Sequence, residues 1–174
     1  KHLRLATTVF EASAEGMMVW DGRRRIEMVN DAFVQITGYP GAEVVGRDAQ
    51  LLDAGHQGPG LFEAMEQAIQ DGNHWRGDFW ARRKSGETFV ARLTLSAIRD
   101  DRGRATSYVG VFSDITEEKA QEAAIEHLAN HDPLTELPNR RLFHDRLTQA
   151  LADRHREPRK RNRVALLFVD LDDF

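Results

Sequence analysis

The chain has 174 residues, 41% hydrophobic and 30% charged, with a formal charge of −4 at pH 7, the make-up of an ordinary folded protein with room for one domain and part of another. It has no cysteine, which excludes disulfides, iron–sulfur clusters, thiolate metal sites, cysteine nucleophiles and light sensing through a cysteinyl–flavin adduct. The charge gives no overall pull toward nucleic acid or an anionic membrane, no apolar run approaches the roughly 20 residues of a membrane span, and Lys1-His2-Leu3-Arg4 lacks the apolar stretch of a signal peptide; a cytoplasmic segment of a longer protein, whose parent can be membrane-anchored elsewhere, fits these facts.

Leu3, Ala6, Val9 and Phe10 recur at helical spacing and predict an amphipathic helix over 2–14. Met17–Trp20 and Ile26–Val29 are short apolar runs joined by Asp21-Gly22, a hairpin signal because glycine accepts positive φ. Asn30-Asp31 supplies an N-cap for a short helix carrying Phe33 and Ile36, and Gly38-Tyr39-Pro40 stops it. Residues 41–60 are rich in glycine and turns. Behind Pro59, the residues Leu61, Phe62, Met65, Ala68 and Ile69 form one apolar stripe ending at Asp71-Gly72. Three strands follow, Trp75–Arg83, Phe89–Ile98 and Ala105–Ile115, with turns at Lys84-Ser85-Gly86 and Asp101-Arg102-Gly103. Hairpins at both ends of this pattern predict an antiparallel sheet and an α+β fold.

Thr116–His131 has neither Gly nor Pro and reads as a connector helix. Gln121, Ile125, Leu128 and Asp132 alternate at spacings of four and three, a weak coiled-coil pattern; the competing reading packs one stripe on its own domain. Leu142, Phe143, Leu147, Ala150 and Leu151 predict a further helix behind Pro138. The basic stretch Arg154–Arg163 holds no aromatic residue for stacking and reads as a solvated loop, so no nucleic acid is expected as a partner. Val164–Val169 is continuously apolar, the pattern of a strand buried on both faces, and leads into Asp170, Asp172 and Asp173.

Two stretches carry a resemblance. Asn30-Asp31-Ala32-Phe33, Thr37-Gly38-Tyr39, the run from Trp75 to Glu87 and the run from Ser107 to Glu117 resemble a PAS domain with its C-terminal PAC half, over about residues 5–118. In that family the Asp114-Ile115-Thr116 ending hands the signal of the last strand to an output helix. His131-Asp132-Pro133-Leu134-Thr135-Glu136-Leu137-Pro138-Asn139-Arg140, with Phe168–Phe174, resembles the first part of a GGDEF (diguanylate cyclase) domain. It departs at Glu136, where the family more often has Gly; a helix start accepting Glu near its positive end is the reading here. The family's signature hairpin and most of its nucleotide site lie beyond Phe174. The implied organisation is a PAS/PAC sensor domain at 1–118, a connector helix at 119–131 and an N-terminal GGDEF fragment at 132–174. The implied fold is a five-stranded antiparallel sheet with helices on one face, then the connector, then the first helix and first strand of a truncated α/β domain.

By the same resemblance Asp170 matches a metal-binding aspartate, for Mg²⁺ in the complete GGDEF domain. GTP would bind only the complete protein, and no cyclase activity is expected from this fragment. Whether the parent makes cyclic di-GMP, or degrades it through an added phosphodiesterase domain, stays open. Asp132, Asn139 and Arg140 match the opening of the GGDEF domain, and Asp132 and Arg140 are expected to pair by charge and anchor the connector. In the PAS part, Met28, Ile36, Met65, Ile69, Trp75, Phe79, Leu93, Leu95 and Phe112 are expected to face the interior, as core or as the wall of a pocket, with Asn30 and Trp75 as its polar candidates. The Trp75–Lys84 stretch also resembles flavin-binding PAS domains of nitrogen-fixation redox sensors, which makes flavin adenine dinucleotide a candidate cofactor. Haem is not expected, because the family's haem members carry a histidine on the long helix, here 60–71, which has none; His56 and His74 only flank it. The resemblance implies a homodimer through the outer sheet face, the first helix and the connector, relaying a signal to its own GGDEF domain. The alternative is a ligand-free structural dimerisation domain.

Overall fold

In the computed structural model, which describes residues 2–58, 60–72, 74–156, 165–167 and 169, the Asp21 hairpin forms with a longer turn than expected. β1 (Gly16–Asp21) pairs antiparallel with β2 (Ile26–Val29). The Asp21 carboxylate accepts the N–H groups of Arg23 and Arg25, at 2.8 Å each. The left-handed position falls on Arg24 (φ 63°) and not on Gly22. The side chain of Asp21 therefore shapes this turn, a role aspartate takes readily, and Arg24 carries the backbone strain.

α1 (His2–Ala12) precedes this hairpin. After it come α2 (Asp31–Thr37), the single turn α3 (Gly41–Val44), a 3₁₀ turn at Ala49–Leu52, and α4 (Leu61–Gly72). Pro59, expected to start α4, lies outside the described residues. α2 is capped as its sequence demands: the Asn30 side chain accepts the Phe33 N–H, and Gly38, at φ 74°, returns its N–H to Val34. β3 (His74–Arg82), β4 (Thr88–Arg99) and β5 (Ala105–Asp114) complete a five-stranded antiparallel sheet in the order β2-β1-β5-β4-β3. The last strand in the chain thus lies in the middle, paired with β1 on one side and β4 on the other. Strand alternation turns Phe79, Ala81, Phe89, Ala91, Leu95 and Phe112 toward the helices, where each is 9% exposed or less.

The chain divides into two units, residues 1–118 and 119–174. α5 (Thr116–Asn130) is a continuous helix with no buried residue. Ile125 and Leu128 are 69% and 63% exposed. In the second unit α6 (Arg140–Arg156) carries the predicted helical stripe. Residues 165–167 and 169 have no regular secondary structure, unlike the strand expected at Val164–Val169. A strand needs a hydrogen-bonded neighbour, and among the described residues none pairs with this segment. Val164, Phe168, Asp170, Asp172, Asp173, Phe174 and the basic residues beyond Arg156 lie outside the described residues.

Candidate functional site

Between α4 and the inner face of the sheet lies a cavity of about 380 Å³, within the span of small-molecule sites. Its floor is low because small residues sit there: Ala81 on β3, Ala91 on β4 and Gly110 on β5. A Cβ on Gly110 would lie 3.0 Å from the ring of Trp20, so glycine lets that ring lie across the strand. Met65 and Ile69 of α4 close the roof with Leu52. The lining residues that are themselves exposed form a rim: Gly22, Arg24, Gln50, Glu66 and Gln70. The result is an apolar body with one cation, one anion and two amides at its mouth.

Six of the residues expected to face the interior line this cavity: Met65, Ile69, Phe79, Leu93, Leu95 and Phe112. Four candidates do not. Met28 is 49% exposed. A bulge between Val19 and Trp20 puts Ile26 opposite inward-facing Trp20 but Met28 opposite Val19; one inserted residue sends Met28 to the outer face. Ile36 packs against the core from α2, away from the cavity wall. Trp75 folds its ring over Gly77, where a Cβ would come within 2.6 Å of it. Asn30, 1% exposed, is a structural hub outside the cavity lining. Its Oδ1 accepts the N–H groups of Met17 (2.8 Å) and Phe33 (2.9 Å), and its Nδ2 donates to the carbonyls of Phe10 (3.0 Å) and Glu15 (2.9 Å). That exhausts the amide.

The polar rim went unread in the sequence. Glu66 and Gln70 stand four apart along the solvent edge of the apolar stripe of α4, where a solvated pair ordinarily flanks such a stripe. Arg24 and Gln50 are brought together by the sheet of bonds between the β1–β2 turn and the 3₁₀ turn: the Ala49 N–H donates to the Arg24 carbonyl at 2.8 Å, and Arg24 faces Asp48 at 3.8 Å.

The exit from the sheet is equally built. Ile115 is 3% exposed, and its N–H donates to the Val90 carbonyl at 2.8 Å. The Val90 N–H donates to the Thr116 hydroxyl at 3.0 Å, and the Thr116 N–H to the Asp114 carboxylate at 2.9 Å. Arg83, not singled out in the sequence, donates both to Asp114 and to the Ile36 carbonyl, with its guanidinium 4.3 Å above the Phe89 ring. Burial pushes the Asp114 carboxyl up, but the hydrogen bonds from Thr116 and Arg83 together outweigh it and hold the group below the usual carboxylate range. On the first turn of α5, Glu118 pairs with Arg92 of β4 at 3.0 Å.

In the second unit Asp132 does not pair with Arg140; among the described residues no ion pair joins them. Its carboxylate accepts the N–H of Thr135 (2.9 Å), the Thr135 hydroxyl (2.9 Å) and the N–H of Leu134 (3.1 Å), which hold it below its ordinary range. The short polar turn takes the carboxylate because those donors lie within three residues of it. Glu136 sits at φ 57°, so the glycine common at this position is explained by a left-handed backbone and not by a helix start. Asn139 caps α6 by accepting from Arg141 (3.0 Å) and Leu142 (3.1 Å), while its Nδ2 donates to Ala129 (2.8 Å) at the end of α5. Among the described residues there is no cluster of three or more metal-ligating side chains, and no helix is long and apolar enough to cross a membrane.

The family described as PAS domain matches residues 14–117, and that described as diguanylate cyclase, GGDEF domain, matches residues 129–174. A blue-light-activated histidine kinase of Rhizobium johnstonii is 35% identical over 128 residues, 71% of this chain and 37% of the kinase. The chain spans well under half the length of the curated relatives it matches. The PAS domain of a Colwellia psychrerythraea protein superposes with a TM-score of 0.64 at 17% identity, over 67% of this chain and 99% of that one. A Light-Oxygen-Voltage domain, solved in work on a flavin analogue and its mechanism, superposes with a TM-score of 0.58 at 25% identity, over 71% of this chain and 93% of that one. The five-stranded sheet, the hollow beneath α4 and the two family matches lead to one conclusion: the chain belongs to the PAS domain family, and the start of a GGDEF domain follows its sensor.

Proposed function

We propose that this chain is a sensory relay in which a small molecule in the cavity governs a GGDEF domain acting in cyclic di-GMP turnover. One observation carries the reading. β5 contributes Tyr108, Gly110 and Phe112 to the cavity wall, and the same strand ends at Asp114 and runs through Ile115 into α5. A change in the wall therefore has a direct covalent route to the helix. On this reading the sensor works as a cytoplasmic homodimer whose contacts include the exposed Ile125–Leu128 stripe of α5. Asp170 would hold Mg²⁺, and GTP would bind, only in the complete GGDEF domain. A filled-core dimerisation domain is the weaker reading, because this core is hollow. In the full-length protein, Asp114→Ala should leave cyclic di-GMP turnover insensitive to whatever stimulus controls the wild type; an unchanged response would sink the relay through β5.

Flavin is one candidate ligand, although the cavity floor of Ala81, Ala91, Leu93, Leu95 and Phe112 offers the polar edge of its ring no side-chain partner. Ala81, Ala91 and Gly110 make a flat apolar seat, Met65 and Ile69 close over it, and the amides of Gln50 and Gln70 with the Arg24 guanidinium can meet a hydroxylated, phosphorylated tail at the mouth. The similarity to Light-Oxygen-Voltage domains supports the same choice. A bound flavin would supply visible-light absorption and electron transfer; the chain supplies the seat, the rim and the strand that reports on it. The purified protein should show a flavin absorption band at the blue end of the visible. A colourless protein that takes up neither flavin mononucleotide nor flavin adenine dinucleotide would remove the flavin reading.

A further inference from the structure

We infer that the cavity binds a single-headed carboxylate amphiphile, with a hydrocarbon body buried against the sheet and its head held at the mouth by Arg24. The inference rests on the reading that the cavity holds a small molecule, names that molecule's class, and competes with flavin for the same space. The wall sets the body of the ligand. Ala81, Ala91, Leu95 and Phe112 below, with Met65 and Ile69 above, carry no side-chain nitrogen or oxygen. The Trp20 indole and the Tyr108 phenol, at the β1–β5 side, stack on each other at 6.0 Å between centroids. Among the described residues no buried side-chain nitrogen or oxygen lacks a partner, so the interior holds no polar group waiting for a ligand. A polar group laid on this floor would lose its water for nothing in return, whereas each methylene placed there gains.

The mouth sets the head. The Arg24 backbone is clamped in its left-handed position, φ 63°, by its own N–H on the Asp21 carbonyl at 2.9 Å and by the Ala49 N–H on its carbonyl at 2.8 Å. Its side chain therefore leaves the turn from a fixed point. It faces Asp48 loosely, through Nε at 3.8 Å. Among the described residues its two Nη nitrogens meet no acceptor, and a guanidinium fork fits a carboxylate in two parallel hydrogen bonds. The same lip carries Arg23, Arg25 and Arg47 against Asp21 and Asp48, a positive balance that draws an anion to the mouth. The α4 lip carries the opposite sign in Glu66, which has no cation partner among the described residues. One free guanidinium and one opposing carboxylate favour a head of single charge, seated on the Arg24 side beside the Gln50 amide.

The test titrates the chain by calorimetry with hexanoate, octanoate and decanoate, and with the matching 1-alkanols, all below micelle-forming concentrations. Affinity should rise about fourfold per methylene, and each alkanoate should bind more tightly than its alkanol. Arg24→Gln should weaken the alkanoates about three- to tenfold and leave the alkanols unchanged, Arg24→Lys should restore part of the loss, and Glu66→Gln should tighten the alkanoates about two- to fivefold. Ala91→Leu, which fills the floor, should weaken both series; Leu52→Phe reads the same point from the roof should Ala91→Leu not fold. Alkanols that bind as tightly as alkanoates, or alkanoate binding untouched by Arg24→Gln, overturn the carboxylate head and leave a ligand cavity standing. Uptake of flavin with no binding of either series overturns the amphiphile and leaves the cavity reading intact. A wild type that binds neither series nor flavin, or that binds both series equally well with the floor filled, overturns both readings.

Discussion

At one end of the inner sheet face Asn30, Phe33, Thr37 and Phe89 are at most 1% exposed; at the other, α4 stands off the same sheet over a cavity of about 380 Å³. The two ends share strands, and Phe112 belongs to both: its ring meets Phe33 edge-on at 5.9 Å and also walls the cavity. They differ in how polarity is handled. At the filled end every polar group is consumed internally, as Asn30 shows, and Thr37 donates to the Phe33 carbonyl at 2.7 Å. At the hollow end polar groups sit at the rim. Framework and cavity are thus separated along one sheet, and the filled end is the one that touches the exit, through Arg83 and Ile115.

The largest contrast should come from Asn30→Leu. It strands the buried N–H of Phe33, the part-buried N–H of Met17 and two carbonyls, and leaving a buried group unpaired costs about 1–3 kcal/mol before relaxation. A net loss of roughly 3 kcal/mol in urea unfolding is expected, whereas Gln70→Ala at the rim should stay within about 0.5 kcal/mol. Near-equal losses would erase the distinction between the ends.

Overpacking probes the same contrast. Val44, 0% exposed, and Leu52, 7% exposed on the cavity wall, are both buried aliphatics. Val44→Phe should cost about 1–3 kcal/mol, because a filled core must shift to admit the ring. Leu52→Phe can grow into free space and should cost well under 1 kcal/mol while weakening ligand uptake. Equal penalties would mean the cavity collapses in solution.

The framework and six residues of the cavity wall were legible in the sequence, but the small-residue floor and the polar rim were not. Asn30 could be read as a cap, Gly38 as a stop and Phe89, Ala91 and Leu95 as one face, because these signals are local and periodic. A cavity is a difference between distant surfaces. Nothing local says that Ala81, Ala91 and Gly110 will lie side by side, or that Arg24 and Gln50 will share a rim. Met28 was misplaced for a related reason: alternation predicts a face only while register holds, and the bulge at Val19/Trp20 breaks it. Arg83 was passed over because a charged residue in a turn ordinarily stays solvated; here the Phe89 ring and the Asp114 carboxylate hold it.

A smaller effect should separate the exit from both ends. The folded Asp114 carboxyl titrates below its ordinary value. Its contribution is therefore fully present above the unfolded pKa, near 4, and fades as pH falls through the folded value. Asp114→Asn should flatten the acid limb of the stability curve without abolishing it, since Asp21, Asp100 and Asp132 are shifted the same way. An acid limb identical to wild type would mean that Arg83 and Thr116 hold no charged carboxylate there.

The smallest effect should come from Lys84 and Glu43. They form an ion pair between the β3–β4 turn and α3, beside the filled end, but their side chains are 46% and 39% exposed. Water and salt screen such a pair, and ordering two long side chains offsets most of its attraction, so a double-mutant cycle with alanine should give about 0.5 kcal/mol or less and approach zero in high salt. The backbone bond beside it, from the Lys84 N–H to the Thr37 carbonyl at 2.9 Å, survives both substitutions and keeps the turn against α2. A salt-dependent coupling above about 1 kcal/mol would shift the source of the filled end's rigidity from buried packing toward surface charge, and Glu43→Gln alone would then loosen α3 as much as the double substitution does.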